Sequence, residues 1–547
     1  MRDLLESTPA PSACGLIPGR RLSAGHSILL VVVFSLSCSQ DEVPKTASST
    51  SIPELGLQEV VTDELQWDEP LAETNLIVII SDTMRRDRIG IYGGPARTPA
   101  FDAFGTANLL FSEAYSQSPW TKPSLATAFT SLYPSQHGVL RHPRKARNAA
   151  GQTTRRPIME VDILSAKHTT LPEVLQAAGL HTAGFVGNPW ISRDFGFAQG
   201  FEVFDDSFAK WNVPGDVVSR AGLTWLRSLK KGSRFFLYLH YMDCHQPYLP
   251  LDAADLESRI GELNGDQGPV SNEVAAQIAR IVKLKRPEGR PAGPSNLRPS
   301  IGLVKHAYDQ GVEQFDQALK LFLDGFRSHP AYERTAIVIT ADHGEALFDR
   351  GYGNHGDGLY DDEVAIPFAA RLPGVTSKVE RIDRLVGLID LLPTVCDYLQ
   401  IAAPDTTAGK SWLKSQSSTT STRRACLVTE GVVIKHLNRA IRTKTYKLLW
   451  QPQGGPTRKQ HVLFNIREDP QEERDLLSPE FYSDDAQQLV QALLQAGRDT
   501  VPEYTPSPTQ FVPVGEDVLR RLRSLGYVGG DDGASDRESK PPASGDF

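Results

Sequence analysis

The chain has 547 residues, of which 40% are hydrophobic, 8% aromatic and 23% charged. That length and apolar content suffice for one large domain plus a smaller one, and they exclude a chain disordered throughout. A formal charge of −8 gives no overall attraction to nucleic acid or to an acidic bilayer, so any affinity for anions has to be local.

In chain order, the basic pair Arg20-Arg21 precedes an apolar run over 28–36, too short to span a bilayer comfortably and suited to a secretory signal. Ser35-Leu36-Ser37-Cys38 follows and resembles a bacterial lipoprotein signal, with Ser35 in place of the usual Leu. A signal peptide over 1–38 is therefore expected, lipidated at Cys38, with ordinary cleavage as the alternative. Export to the periplasm or the cell surface follows, and a lipid anchor is the one membrane contact expected. Residues 39–73, rich in Ser, Thr, Pro and acidic groups without periodicity, read as a flexible linker.

A folded domain is expected over 74–404. Short apolar runs over 76–80, 235–239 and 336–340 read as strands, and 171–178 and 306–326 as helices. This alternation predicts an α/β fold with a large, mostly parallel sheet flanked by helices. In such sheets ligands collect beyond the carboxyl ends of the strands, where Asp82, His240 and Asp342 fall. Residues 251–300 are polar and rich in Pro and Gly, with one helix-like piece over 274–282, and read as an insertion or lid. Strand-like pieces at 426–429, 440–443 and 446–450 predict a small C-terminal α+β subdomain with a closing helix over 405–528, and 529–547 reads as a disordered tail. The five cysteines, Cys14, Cys38, Cys244, Cys396 and Cys426, allow at most one disulfide.

Several motifs occur in one order: Asn75 to Arg85 with Asp82, Thr121-Lys122-Pro123-Ser124, Thr130-Ser131-Leu132-Tyr133-Pro134 with His137-Gly138, and His240 to Tyr248. Asp342-His343-Gly344-Glu345, His355-Gly356, Leu463-Phe464-Asn465 and Asp469-Pro470 come after them. Together they resemble the sulfatase family of the alkaline phosphatase superfamily over roughly 74–480, and several ordered motifs are far harder to reach by chance than one. The resemblance implies an alkaline phosphatase-like fold with a small C-terminal antiparallel sheet.

It also implies a nucleophile at Thr121 and a divalent cation on Asp82, Thr121, Asp342 and His343. Taken alone, an Asp after a strand more often caps the next turn. Thr83 stands where the family often has a second Asp, so the set carries one imidazole and two carboxylates, which moves preference from Ca toward Mn or Zn. At position 121 typical members have a Cys or Ser oxidised to formylglycine, with an Arg four residues on. Here Thr121 would give a ketone and Leu125 replaces the Arg, so no formylglycine is expected and an unmodified hydroxyl has to attack. Lys122 is expected to neutralise the transferring anion, with a helix-start surface lysine as the alternative. His245 and His355 match groups that contact the anion or protonate the leaving oxygen. His240 and His137 are read as orienting neighbours, Ser124 as a hydroxyl that orients the loop, and the basic run from Arg141 to Arg156 as a solvated loop or a steering patch.

These readings predict a metal-dependent hydrolase of sulfate esters acting on a sulfated or phosphorylated small molecule or glycan. A phosphodiesterase or phosphoryl-group transferase is the alternative, because a Thr nucleophile suits phosphorus. A catalytically inactive, sulfatase-like binding protein is the rival from another class.

Overall fold

Eight strands form the main sheet: β1 (Asn75–Ser81), β2 (Leu109–Tyr115), β3 (His181–Val186), β4 (Val203–Asp205), β5 (Phe235–Tyr241), β6 (Thr335–Ala341), β7 (Phe368–Arg371) and β8 (Ile382–Gly387). The structure is a computed structural model that describes residues 65–67, 73–141, 144–145, 159–208, 213–246, 248, 298–356, 358–413, 424–433, 436–451, 459–501 and 511–514. All of them fall in one unit, 52–547. The signal peptide with Cys38, the helix expected over 274–282 and its lid, and the tail over 529–547 lie outside the described residues.

The sheet order is β8-β2-β7-β6-β1-β5-β3-β4, and β7 alone runs against the rest. The expected mostly parallel sheet is therefore present. The central strands β1, β5 and β6 are buried at every position, as strands covered on both faces must be, and their β-branched and aromatic residues suit that setting. Their register aligns their carboxyl ends: Ser81 pairs with both Tyr241 and Ala341, so the three chains leave the sheet side by side.

Helices α1 (Pro99–Ala107), α2 (Thr121–Thr130), α3 (Gly215–Ser228) and α4 (Arg298–Arg327) lie in the connections between these strands, and α5 (Leu391–Leu399) follows β8. α3 packs on α4, where the Ser219 hydroxyl donates to the Ala318 carbonyl at 2.8 Å. The expected helix over 306–326 starts earlier than its apolar period suggests, so 298–300 belong to it and not to the insertion. Among the described residues no helix is long and apolar enough to cross a membrane.

The C-terminal region has an antiparallel sheet of β9 (Leu427–Val433), β10 (His436–Arg442), β11 (Tyr446–Trp450) and β12 (His461–Asn465), with α6 (Asp484–Thr500) against it. Its attachment is ionic as well as apolar. Buried Lys447 reaches Asp361 at 2.7 Å and Glu472 at 2.5 Å, and Arg442 reaches Asp361 at 2.6 Å. Two expectations need correction. Leu65–Trp67, read as flexible linker, pair with Val375–Ser377, and Arg144–Lys145 of the basic run pair with Met159 and Glu160. The described cysteines Cys244, Cys396 and Cys426 are buried thiols and form no disulfide.

Candidate active site

The register of β1, β5 and β6 builds the site. Asp82 and Asp342 each stand one residue beyond the paired end of a strand, and His240 lies opposite Ile80. The Asp82 amide donates to the Tyr241 carbonyl at 2.9 Å, which holds the neighbouring strand ends together. One ligand atom each from Asp82, His240 and Asp342 falls within 4.8 Å of the others, and all three residues are buried.

These groups fit a cation. Asp82 Oδ1, Asp342 Oδ2 and both ring nitrogens of His240 are buried with no hydrogen-bond partner among the described residues. A buried carboxylate in that state is costly unless a positive charge compensates it. Burial pushes the Asp82 carboxyl up to about 7 and that of Asp342 well above its usual range, where the Asp82 charge adds to the effect. The nearby imidazoles supply no compensating charge, because burial drives His240 and His245 down to about 3 and His343 well below its ordinary value. His240, read as an orienting neighbour, is thus the addition the structure makes to the expected ligands. His343 Nε2 borders the same set, 3.4 Å from Asp342 Oδ2 and 3.7 Å from Asp82 Oδ1.

Thr121 begins α2, where Trp120 precedes the helix with extended backbone and Pro123 falls in the first turn, a position that needs no intrahelical N–H bond. Small residues Ser124, Ala126, Thr127 and Ala128 let the whole helix bury. Its N-terminus presents Thr121 Oγ1 to the ligand set, 3.4 Å from Asp82 Oδ2 and 3.2 Å from His343 Nε2. His343 Nδ1 donates to the Gly344 carbonyl at 2.8 Å, so in the neutral ring Nε2 is the acceptor facing the hydroxyl. The positive end of a buried helix also favours an alkoxide or a bound anion there.

Asn188 completes this corner and lies in none of the sequence motifs. Its amide nitrogen donates to Asp82 Oδ2 and lies 3.4 Å from Thr121 Oγ1, while its oxygen accepts the Trp190 amide at 2.8 Å. The one signal it carries in the sequence is its place two residues after β3, at the same carboxyl edge as Asp82.

His245 and His355 also arrive at the site. The His355 ring centroid is 4.6 Å from that of His343 and 5.2 Å from that of His245. Lys122 departs from expectation. Its side chain is fully buried, its Nζ donates to the Asp162 carbonyl, and it lies 4.0 Å from the Phe195 ring centroid and 5.3 Å from that of Trp190. These partners tie it to a buried wall behind the helix rather than to the anion, and burial drives its amine well below the usual range. Nor is it the surface lysine of the alternative. His137 bonds Thr127 Oγ1 at 3.1 Å, toward the far end of α2, and Ser124 bonds the Ser118 carbonyl at 2.8 Å, as a loop-orienting hydroxyl should. Arg141 is held by Asp162, which accepts its amide at 2.8 Å.

Residues 74–401 match the family model for sulfatases, and residues 348–499 match that for the C-terminal region of N-sulphoglucosamine sulphohydrolase. An arylsulfatase of Clostridium perfringens is 22% identical over 505 residues, covering 82% of this chain and 99% of the relative. A solved structure in complex with its substrate D-glucosamine-2-N,6-O-disulfate is similar with a TM-score of 0.61 at 17% identity, over 80% of this chain and 100% of that one. The phosphonate monoester hydrolase of Agrobacterium radiobacter is similar with a TM-score of 0.58 at 16% identity, over 81% and 100%. The family match runs through all eight strands of the main sheet and every side chain of the site from Asp82 to His355, and the chain belongs to the sulfatase family of hydrolases.

Proposed function

We propose that this chain is a metal-dependent hydrolase of sulfate esters that uses the unmodified Thr121 hydroxyl as nucleophile. The observation that carries the reading is the seat of Thr121 Oγ1, at the start of a buried helix and between Asp82 Oδ2 and His343 Nε2. Asp82, His240 and Asp342, with His343 and Thr121 at the border, would hold a divalent cation, and the imidazoles favour Mn or Zn over Ca. When bound, that cation supplies positive charge that lowers the pKa of the hydroxyl and offsets charge on the transferring group.

The chain's own groups account for the remaining steps. Thr121 gives its proton to Asp82 Oδ2 as its oxygen bonds to sulfur, and the Asn188 amide keeps Asp82 and the hydroxyl in register. The bond to the departing alcohol breaks with its electron pair on that oxygen, which takes a proton from His355, with the His245 ring beside it. Water then attacks the Thr121 ester at sulfur and restores the hydroxyl. Formylglycine has no place in this scheme, because a secondary alcohol cannot become an aldehyde.

That last point favours a second reading, a phosphoric or phosphonic ester substrate, since a Thr ester intermediate has to be resolved at the central atom and not by C–O cleavage. Support for a sulfated glycan comes from the sulfated glucosamine bound by one structural relative. The signal-like leader ending at Cys38 supports an exported, lipid-anchored enzyme. One parallel assay of aryl sulfates, phosphomonoesters, phosphodiesters and phosphonate monoesters, run with wild type and Thr121→Ala, tests the reading. Sulfate turnover that vanishes in the variant is expected. Turnover confined to phosphorus esters selects the second reading, and activity that survives in Thr121→Ala refutes the nucleophile.

A further inference from the structure

We propose that Glu345 is a positioning residue that holds the His355 ring by Nδ1, so that Nε2 is the nitrogen presented to the departing oxygen. This rests on the leaving-group role proposed for His355. Glu345 is fully buried, and both of its carboxylate oxygens lie 3.3 Å from His355 Nδ1. The carboxylate is itself braced by a hydrogen bond from the Tyr248 side chain. Its backbone carbonyl accepts Arg85 Nη1 at 3.0 Å.

The His355 backbone is fixed separately. Its amide donates to Asn354 Oδ1 at 2.9 Å, and the same oxygen accepts Gln246 Nε2 at 2.9 Å, beside His245. Asn354 sits at φ 83, a left-handed conformation that Asn tolerates better than most residues, so the turn carrying His355 is tightly specified. With the backbone set by Asn354, rotation of the ring is the freedom left, and a carboxylate on one nitrogen removes it. Between substrate and protein, the bond to the alcohol breaks with its electron pair on the departing oxygen, and the proton on Nε2 moves to that oxygen. Glu345 exchanges nothing with substrate and acts through the ring.

The test compares wild type, His355→Ala, Glu345→Ala and Glu345→Gln on 4-nitrophenyl and phenyl esters of whichever acid, sulfate, phosphate or methylphosphonate, the wild type hydrolyses. A good leaving group needs little protonation and a poor one needs much. Glu345→Ala should cut kcat on the phenyl ester on the order of 10²-fold and on the 4-nitrophenyl ester only a few-fold, with His355→Ala showing the same bias. Gln keeps an oxygen for Nδ1–H, so Glu345→Gln should recover most of the loss, with unfolding temperature and bound metal as in wild type. A uniform loss across both esters in Glu345→Ala, while His355→Ala discriminates, overturns the role of Glu345 and leaves that of His355 intact. If His355→Ala does not discriminate, both fall. Should Glu345→Ala not fold, Glu345→Gln decides, because a loss equal on the two esters overturns the proposal.

Discussion

Cation-free protein should gain more thermal stability from Mn²⁺ or Zn²⁺ than from Ca²⁺, and the gain should depend on His240. The structure offers two buried carboxylates, each with one oxygen that has no hydrogen-bond partner among the described residues, and the His240 imidazole, with one ligand atom of each within 4.8 Å of the others, so an ion would bind the folded chain and find no comparable site in the unfolded one. At one hundred times its Kd, such an ion adds about 2.7 kcal/mol. With an unfolding entropy of about 2 cal/mol/K per residue, a chain of this size has a total of about 1 kcal/mol/K, so the midpoint should rise by about 3 °C. His240→Ala leaves the two carboxylates with His343 as the one bordering imidazole, so the transition-metal shift should fall toward that of Ca²⁺. Calorimetry on chelated and dialysed protein measures this, with each variant compared to its own cation-free baseline. A larger shift from Ca²⁺ in the wild type, or a full Mn²⁺ shift in His240→Ala, would refute the reasoning.

Asn188→Ala removes a donor to the Asp82 carboxylate and should lower kcat/KM by about 10- to 150-fold, the rate equivalent of a charge-assisted hydrogen bond of about 1.5–3 kcal/mol; an unchanged value would detach Asn188 from the site. Lys122→Met should lose less than about tenfold in kcat/KM, since the buried amine faces Asp162 and two aromatic rings; a loss of about 10²–10³-fold would restore it as an oxyanion partner. The raised carboxyls give a signed pH effect. Asp82 moves from 3.8 to about 7 and Asp342 also rises, so in cation-free protein their contribution to stability is present at low pH and is lost as pH climbs through the folded values. Below about pH 6.5 the buried neutral imidazoles, which take up protons on unfolding, oppose this effect, so the unfolding midpoint of cation-free protein should fall between about pH 6.5 and 8, and saturating Mn²⁺ should offset the fall. A cation-free midpoint that rises over that window would contradict the burial of two carboxylates that each keep one unsatisfied oxygen.

The central strands are legible in the sequence because β1, β5 and β6 are short apolar runs that end in polar residues with chemistry to do. Leu109–Tyr115 does not read as a strand, since Ser112 and Glu113 interrupt its apolar face where it is only half-buried. Leu65–Trp67 is hidden for another reason: an edge pairing three residues long with Val375–Ser377 leaves no periodicity to detect. At the site, Asp82, Thr121, Asp342 and His343 sit in ordered motifs, and the fold brings them together. His240 carries the right signal, a strand end beside Asp82, but only the register with Ile80 shows that its ring reaches both carboxylates. Lys122 misleads because adjacency in sequence to a nucleophile says nothing of direction: one residue further along a helix turns the side chain by about 100°.

The central claim is that Thr121 itself carries the transferred group, and rapid mixing with a 4-nitrophenyl ester, acid quench and peptide mass spectrometry test it most directly. The account predicts a sulfuryl or phosphoryl group on the peptide containing Thr121, formed as fast as 4-nitrophenol is released and absent from Thr121→Ala. Release of 4-nitrophenol with that peptide unmodified, or with the group on another residue, would contradict it.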